Sequence, residues 1–253
     1  MPMHQEDRHL ERRFSELARR AASRRAWVWS EFLTIAEQDV LRAMPPGPDQ
    51  APFVLEGGYE AAERRVALFG SEALCGPLEE SPLACLRLSP AAPKFSDPLT
   101  HRDFLGALMS LGIRRSLLGD ILVHENSGYL FCLSSIAGYI AEHLTQIKHT
   151  TVRCARVDGP PPAVSAAGEV RKFVVASPRL DAIVSAVYNL SRSESQRLFP
   201  QERVAVNSRL VGNAAQVPAP GDLISVRGYG RLRYQGIARE TKKGRLRISA
   251  IVY

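Results

Sequence analysis

The sequence predicts a mixed α+β protein made of two or three small domains. Three observations support this prediction: a helical pattern over residues 5–43, alternating strand and helix patterns over residues 83–157, and two short helices followed by strands from residue 179 onward. A chain of 253 residues is long enough to form two or three ordinary hydrophobic cores. The apolar fraction of 45% and the charged fraction of 23% are typical of a soluble globular protein.

Residues 1–75 are predicted to form a mainly helical N-terminal segment. Leu10, Phe14, Leu17 and Ala21 recur at helical spacing, which gives this region one apolar face. Four large side chains nearby form the densest aromatic cluster and are expected in the core: Trp27, Trp29, Phe32 and Leu33.

Residues 76–158 are predicted to form a βαββαβ domain. Strand patterns occur at residues 83–88, 120–123, 129–133 and 150–157, with a hairpin turn at 126–128 and helices that begin near Thr100 and Ser134 or Ser135. This order of elements is that of a ferredoxin-like sheet, the architecture that RNA-recognition motifs use, so the domain is expected to be RRM-like.

The aromatic residues of this sheet leave two interpretations open. Tyr129 and Phe131 are two residues apart and would share one face of a strand, as stacking aromatics do in RNA-recognition motifs. The first strand has no aromatic residue, however, and Ser127 stands where a basic residue is expected before Gly128. The two aromatic rings therefore either bind RNA bases or pack in the protein interior.

Residues 159–174 are predicted to be a linker, because the stretch from 158 to 170 is rich in proline, alanine and glycine and carries little charge. Beyond it, residues 175–253 are predicted to form a separate domain. Leu180, Ile183 and Val184 lie at helical spacing, and Pro200 ends a second helix. Alternating strands follow, with a turn at Gly221.

Three helix starts carry the spacing of a capping box, in which a serine or threonine precedes an acidic residue by three positions. The pairs are Thr34 and Glu37, Thr100 and Asp103, and Ser191 and Glu194.

The positive charge of the chain is concentrated at its C-terminal end. Residues 179–253 contain 13 Lys and Arg against 5 Asp and Glu, a net charge of +8, whereas residues 1–178 contain 20 and 21, a net charge of −1. Such asymmetry is typical of a nucleic-acid-binding module attached to a near-neutral body. Because guanidinium groups suit phosphate oxygens and stack on bases, the arginines are the first candidates for contact.

The candidate RNA-binding residues are Arg179, Arg192, Ser193, Arg197, Arg203, Asn207, Arg227, Arg231, Lys242, Lys243 and Arg245. His101 and Arg102, at the start of the helix near Thr100, form a second candidate contact site.

Other functional classes find little support in the sequence. Cys75, Cys85, Cys132 and Cys154 are scattered without a C-x-x-C pair, so reduced buried thiols are expected rather than a metal site, and no cofactor is predicted. No apolar run is long enough to cross a membrane, and the N-terminus lacks a signal-peptide pattern, so a cytoplasmic protein without a membrane partner is expected. The protein is also expected to be a monomer.

Several strings in fixed order carry a family resemblance. In the C-terminal third, R-L-D at 179–181, S-R-S at 191–193, R-V-A-V-N at 203–207 and G-D-L-I-S-V at 221–226 together resemble the S4 RNA-binding domain. Upstream stand G-G-Y-E-A-A-E-R at 57–64, T-H-R-D-F-L-G-A at 100–107 and G-D-I at 119–121. Taken together, the chain resembles the bacterial YlmH family of S4-domain proteins, which includes the photosystem II S4-domain protein branch.

This resemblance implies an N-terminal segment, an RRM-like middle domain and a C-terminal S4 domain. It also implies association with the large ribosomal subunit, through ribosomal RNA, transfer RNA or both, and a role in the rescue of stalled subunits that carry peptidyl-tRNA. A link to cell division is attached to the family as well.

An enzyme is the alternative, because S4 domains also occur on enzymes that modify RNA. The only R-L-D string lies inside the S4 helix at 179–181, and the glycine pattern of a methyltransferase is absent. His101 and Asp103 could act as an acid and base pair, but no nucleophile or metal ligand lies near them in the sequence. A non-enzymatic RNA-binding protein is therefore the favoured prediction, with an RNA-modifying enzyme or its specificity subunit, or a division-linked interaction protein, as alternatives.

Overall fold

The structure is a computed structural model, and it describes residues 5–161, 168–241 and 244–253. The chain divides into two units, a first unit of Met1–Ala166 and a second unit of Ala167–Tyr253. Helices and antiparallel sheets occur in both, so the predicted α+β class is confirmed.

The first unit begins with two helices on a small antiparallel sheet. The helices are α1 (Gln5–Arg24) and α2 (Ile35–Ala43), the strands are β1 (Val28–Leu33), β2 (Phe53–Glu56) and β3 (Arg65–Phe69) in the order β1-β3-β2, and a single helical turn, α3 (Glu72–Cys75), follows. The helical prediction over residues 5–43 is therefore wrong at β1. The predicted mainly helical segment is a layer of helices packed on a sheet.

The central strand of this sheet is buried on both faces. Ala67 and Phe69 pack toward α1 and α2, whereas Val66 and Leu68 point to the opposite side. Trp29 was expected in the core, but it lies on the outer side of β1 and is 43% exposed.

The rest of the first unit is a sheet with two helices on one face. Its strands are β4 (Leu83–Pro90), β5 (Leu118–His124), β6 (Ser127–Leu133), β7 (Gln146–Ile147) and β8 (Thr150–Val157), and its helices are α4 (His101–Ser110) and α5 (Ser134–His143). The strand order β5-β6-β4-β8-β7 places the two central strands β4 and β6 side by side, as in a βαββαβ unit. Short 3₁₀ turns occur at Pro93–Phe95 and Arg115–Leu117.

The hairpin between β5 and β6 turns one residue earlier than predicted. Glu125 and Asn126 occupy the two turn positions with φ of 44° and 60°, and Ser127 already belongs to β6. Two consecutive left-handed residues form the tight turn that matches the twist of a hairpin, and asparagine tolerates this conformation well.

The N-terminal layer packs on the open face of the middle sheet. Phe32, Val66 and Leu68 form one apolar cluster with Cys85, Tyr129 and Phe131. The two predicted regions 1–75 and 76–158 thus share a single unit and a common core.

The second unit is a six-stranded antiparallel sheet with a helix pair. The strands are β9 (Glu169–Val175), β10 (Val204–Val206), β11 (Arg209–Leu210), β12 (Leu223–Val226), β13 (Gly230–Glu240) and β14 (Leu246–Val252), in the order β11-β10-β12-β13-β14-β9; the helices are α6 (Leu180–Tyr188) and α7 (Arg192–Arg197). Leu180, Ile183 and Val184 of α6 are fully buried against the sheet.

The predicted linker at 159–174 is wrong over its last part, because residues 169–175 form β9. This strand pairs along its whole length with β14, from Glu169 opposite Val252 to Val175 opposite Leu246. The middle of the predicted linker, residues 162–167, lies outside the described residues.

Candidate RNA-binding surface

The start of α6 is tied to α7 through the carboxylate of Asp181. Arg179 donates from Nε and Nη2 to the two carboxylate oxygens, at 3.1 and 2.9 Å, and Gln196 of α7 donates to the same group at 3.1 Å. Ser195 adds a 2.6 Å hydrogen bond to the Asp181 carbonyl oxygen. Burial by itself would raise the pKa of Asp181, but the hydrogen bonds from Gln196 and Arg179 and the charge of Arg179 outweigh burial and hold the pKa below its usual value.

Three of the predicted arginines meet at one depression of about 430 Å³ beside α6. They are Arg179 at the start of α6, Arg192 at the start of α7 and Arg245 from the connection between β13 and β14. The rest of the lining includes the small polar side chains of Ser177, Ser185 and Asn189, together with Asp181 and several apolar residues. Arg192 and Arg245 are exposed, and neither forms a salt bridge within the part of the chain that the structure describes.

The helix α7 presents Arg192, Ser193 and Arg197 to solvent. Its start is a capping box, as predicted: Ser191 accepts from the Glu194 amide at 3.2 Å, and Glu194 accepts from the Ser191 amide at 2.8 Å. The Ser193 hydroxyl lies 3.1 Å from the Ser191 hydroxyl and remains exposed.

A second group surrounds the turn between β12 and β13. The guanidinium of Arg203 donates from Nε and Nη2 to the Arg227 carbonyl oxygen, at 3.1 and 2.7 Å, and lies 5.6 Å from the centroid of the Tyr229 ring. The ring of Tyr188, from the end of α6, lies 5.7 Å from that of Tyr229 at an angle of 45°. Arg227 and Arg231 flank Tyr229 and are exposed.

Tyr188 and Tyr229 were not predicted as site residues. The signal available was the string R-G-Y-G-R at 227–231, in which one aromatic residue stands between two glycines and two arginines. Tyr188 carried no such signal, because its place beside Tyr229 depends on how α6 packs on the sheet.

Asn207 has a structural position. Its amide donates to Asp222 at 2.9 Å, its carbonyl oxygen accepts from the Leu223 amide at 2.9 Å, and its φ is +49°. Both polar groups of the side chain thus help to hold the turn after β10 against β12. Lys242 and Lys243 lie outside the described residues.

The aromatic face of the middle sheet is covered. Tyr129 is 6% exposed and Phe131 is 2% exposed, and the ring of Tyr59 stacks on Phe131 at 5.1 Å and 21°. A base has no access to these rings in this arrangement. Of the two interpretations left open by the sequence, packing in the protein interior is the correct one.

His101 and Arg102 are both exposed at the first two positions of α4. The predicted capping box is present here too, and Asp103 also pairs with Lys148 at 2.8 Å. The hydrogen bond from Lys148, followed by those from the Thr100 side chain and backbone, lowers the pKa of Asp103 to about 2. Asp103 thus has structural partners and is held in its charged form.

The cysteines show no metal-site geometry. Cys85 and Cys132 are buried, Cys75 and Cys154 are half-buried, and burial raises the pKa of Cys132 to about 12. Within residues 5–161, 168–241 and 244–253, no group of three or more potential metal ligands comes together. In the same ranges, no helix has the length and apolar character needed to cross a membrane.

Comparison with known proteins decides the family. A family model described as the putative RNA-binding domain in YlmH matches residues 90–159. The ribosome-associated protein quality control protein P2 of Bacillus subtilis is 33% identical over 223 residues, which cover 87% of this chain and 85% of that protein. The chain belongs to the YlmH family. A solved structure of the cell division protein ylmH from Streptococcus pneumoniae aligns with a TM-score of 0.49 at 19% identity, covering 62% of this chain and 94% of that one.

Two of the motifs that resemble the YlmH family form the contact between the N-terminal layer and the middle sheet of the first unit. The Asp120 carboxylate, from G-D-I at 119–121, accepts hydrogen bonds from the Tyr59 hydroxyl at 2.9 Å and from the amides of Glu63 and Arg64 at 2.7 and 3.2 Å. All three donors belong to G-G-Y-E-A-A-E-R at 57–64. These YlmH strings are therefore structural in this chain.

Arg64 also stabilises the contact between these two layers. Its guanidinium donates to the carbonyl oxygens of Leu118 and Phe32, each at 3.0 Å, so it bridges β1 and β5. Burial lowers the pKa of Arg64 from its usual value, although the charges of Glu37 and Asp120 act in the opposite sense. The backbone carbonyls thus satisfy an arginine that would otherwise be costly to bury.

Proposed function

We propose that this protein is a non-enzymatic RNA-binding protein that acts on the ribosome through its second unit. The observation that carries the proposal is the set of exposed arginines that the fold collects around the helix pair. Arg192, Arg227 and Arg245 come from three separate segments, are exposed, and have no carboxylate partner among the described residues. Guanidinium groups in this state are available for phosphate oxygens.

The relative from Bacillus subtilis supports the ribosome as the target. The protein from Bacillus subtilis is named a ribosome-associated quality control protein and matches most of this chain. By extension, the protein binds the large subunit, through ribosomal RNA and transfer RNA, and works in the rescue of subunits that carry a stalled peptidyl-tRNA. It does so as a monomer, with His101 and Arg102 of the first unit as a second contact.

The arrangement of the second unit favours recognition of folded RNA. Arg192 and Arg197 project from a short helix, while Arg179 is fixed by Asp181 at the edge of the same depression. Cations on a rigid surface bind backbone phosphates and set the position of the protein on the RNA. The assignment of Arg179, Arg192, Ser193, Arg197, Arg203, Arg227, Arg231 and Arg245 to RNA contact belongs to this proposal.

Co-sedimentation with large ribosomal subunits tests it. Replacing Arg192 and Arg197 together by alanine should weaken binding at moderate salt by at least about tenfold, since each charge-assisted hydrogen bond contributes about 1.5–3 kcal/mol. The matched control is Arg19→Ala with Arg20→Ala, two exposed arginines on α1 of the first unit, which should bind like the wild type. Unchanged co-sedimentation of the Arg192 and Arg197 variant would contradict the assignment.

The non-enzymatic part has its own test. Mass spectrometry of ribosomal and transfer RNA from a deletion strain should find every modification still present. Loss of one modification, restored by the wild-type gene, would show that an RNA-modifying activity was missed.

A further inference from the structure

The turn between β12 and β13 carries an aromatic ring that the fold leaves open to solvent. Tyr229 is 43% exposed, and its amide donates to the Val226 carbonyl oxygen at 3.0 Å, which closes the turn. Gly228 and Gly230, on either side, have φ of +92° and +141°, values that side chains rarely adopt. The ring therefore stands at the last position of a tight turn.

Neighbours hold this ring in place. The guanidinium of Arg203 lies 5.6 Å from the ring centroid, and Tyr188 supports the ring from α6 at 5.7 Å. Arg203 is itself fixed by its two hydrogen bonds to the Arg227 carbonyl oxygen. A Cβ atom at position 228 would lie 2.6 Å from Nη2 of Arg203, so the glycine is what allows the guanidinium to occupy this place.

The surroundings of the ring are positive. Arg203, Arg227 and Arg231 all come from the two chain segments that form this corner of the sheet. Arg203 and Arg227 form no salt bridge in the portion of the chain that is described. An exposed aromatic ring surrounded by cationic side chains suits a ligand that carries both negative charge and an aromatic group. It suits an apolar peptide less well.

We propose that Tyr229 stacks on an unpaired nucleobase, while Arg227 and Arg231 contact the phosphates on either side of that base. Proteins that bind single-stranded RNA combine a basic track with aromatic side chains on which bases stack, and cations near the ring strengthen the contact. A base inside a duplex has no free face, so the ligand is a loop, bulge or end. The inference rests on the proposed RNA binding by the second unit and specifies which kind of RNA that unit takes.

Binding of the full-length protein to two probe RNAs tests the proposal. One probe is a hairpin with an unpaired loop of adenosines and uridines, and the other is a blunt duplex with the sequence of its stem. Tyr229→Leu keeps an apolar side chain against Tyr188 but removes the aromatic face, and Tyr229→Phe keeps the ring. The leucine variant should bind the hairpin about tenfold more weakly, within the range expected for loss of one stacked base, and should bind the duplex like the wild type. The phenylalanine variant should stay within about twofold of the wild type on both probes.

The outcomes separate this inference from the proposed function. If the wild type binds neither probe nor the ribosome, RNA binding by the second unit is wrong and the inference falls with it. If the wild type binds the hairpin and the leucine variant binds it equally well, or weakens on hairpin and duplex alike, only the stacking role of Tyr229 is wrong. Thermal unfolding of both variants is monitored by far-UV circular dichroism. Equal midpoint temperatures exclude a general loss of fold as the cause of weaker binding.

Ultraviolet cross-linking supplies a direct readout. Irradiation of the wild-type protein on purified large subunits, followed by digestion and mass spectrometry, should yield a nucleotide adduct on the peptide that contains Tyr229. The adducted nucleotide should be unpaired in the ribosome. A peptide-to-peptide cross-link at Tyr229 with no nucleotide adduct would instead identify a protein partner and overturn the proposal.

Discussion

The arginines of the second unit differ in their contacts within the fold, although the sequence shows them only as one basic cluster. Arg179 and Arg203 are each held by two hydrogen bonds, to Asp181 and to the Arg227 carbonyl oxygen respectively. Arg192 and Arg245 are exposed and have no such partner within the described ranges. We therefore expect substitution of the first pair to affect both the fold and the surface, and substitution of the second pair to change the surface charge alone.

Asp181→Asn should destabilise the second unit. The change removes the charge that pairs with Arg179, and it leaves a side chain that is 3% exposed with a less suitable set of partners. We expect a loss of about 1–2 kcal/mol at neutral pH, a reduced value because Arg179 is partly exposed. Urea unfolding followed by circular dichroism measures it, and a midpoint equal to that of the wild type would contradict the role of Asp181.

The same variant should alter the pH dependence of stability. Because the folded protein holds the pKa of Asp181 below its usual value, the pair stabilises the wild type above the unfolded pKa of about 4 and ceases to do so as the pH falls through the folded pKa. The difference between wild type and Asp181→Asn should therefore be largest near pH 7 and shrink below about pH 4.

At the scale of elements, the loop between β2 and β3 connects the N-terminal layer of the first unit to its middle sheet. The ring of Tyr59 in this loop stacks on Phe131, and its hydroxyl donates a hydrogen bond to Asp120, so one side chain makes both contacts with the middle sheet. Gly58 has a φ of +86°, and a Cβ atom there would lie 2.3 Å from Cδ1 of Phe131. The loop therefore packs on β6 only with glycine at this position.

Gly58→Ala should destabilise the first unit by about 2–3 kcal/mol, from the clash and from the left-handed backbone together. Both tryptophans of the chain, Trp27 and Trp29, lie in this unit, so tryptophan fluorescence follows its unfolding alone. We expect an earlier fluorescence transition and unchanged affinity for RNA. Gly138→Ala, at a helical position of α5 with open space around it, is the matched control and should not lower the transition. An unshifted transition in Gly58→Ala would show that the loop adapts without cost.

For the whole molecule, the separation of charge between the two units determines how binding responds to salt. The second unit, residues 167–253, contains 15 Lys and Arg against 6 Asp and Glu, a net charge of +9, whereas the first unit contains 18 and 20, a net charge of −2. Counterion release makes the logarithm of affinity fall linearly with the logarithm of salt concentration, by about 0.7 for each phosphate contact with single-stranded RNA.

Arg245→Ala should therefore reduce the salt slope of RNA binding by about 0.7, if the residue makes one phosphate contact. Arg20→Ala on α1, which removes the same charge from the first unit, should leave the slope unchanged. Equilibrium titrations of a labelled hairpin at several salt concentrations give both slopes. Equal reductions by both variants would indicate a general effect of net charge rather than a local contact.

Local sequence patterns predicted the elements whose determinants lie close together in the chain. The capping boxes at Thr34, Thr100 and Ser191 are all present, and the strand at 150–157 has the predicted bounds. A capping box needs only a side chain and an amide three residues apart, so the structure around it has little influence on whether it forms.

Elements that depend on distant partners were missed. The strand β1 lies between two helices and follows a helical pattern, yet it pairs with β3 across the intervening α2. The strand β9 lies in a stretch predicted to be a linker and gains its hydrogen bonds from β14, at the other end of the unit. Tertiary context overrides local propensity most readily in strands, since their hydrogen bonds always come from another segment.

By itself, the sequence determined the α+β class, the helix starts, the concentration of positive charge after residue 179 and the YlmH family. Only the tertiary structure decided which side chains are exposed on a surface that a ligand can reach. It buried Tyr129 and Phe131 beneath the N-terminal layer, and it placed Tyr229 in the open among arginines from two separate chain segments. The physical reason is that charge and local pattern are properties of the chain, whereas exposure depends on which distant segment packs on each face.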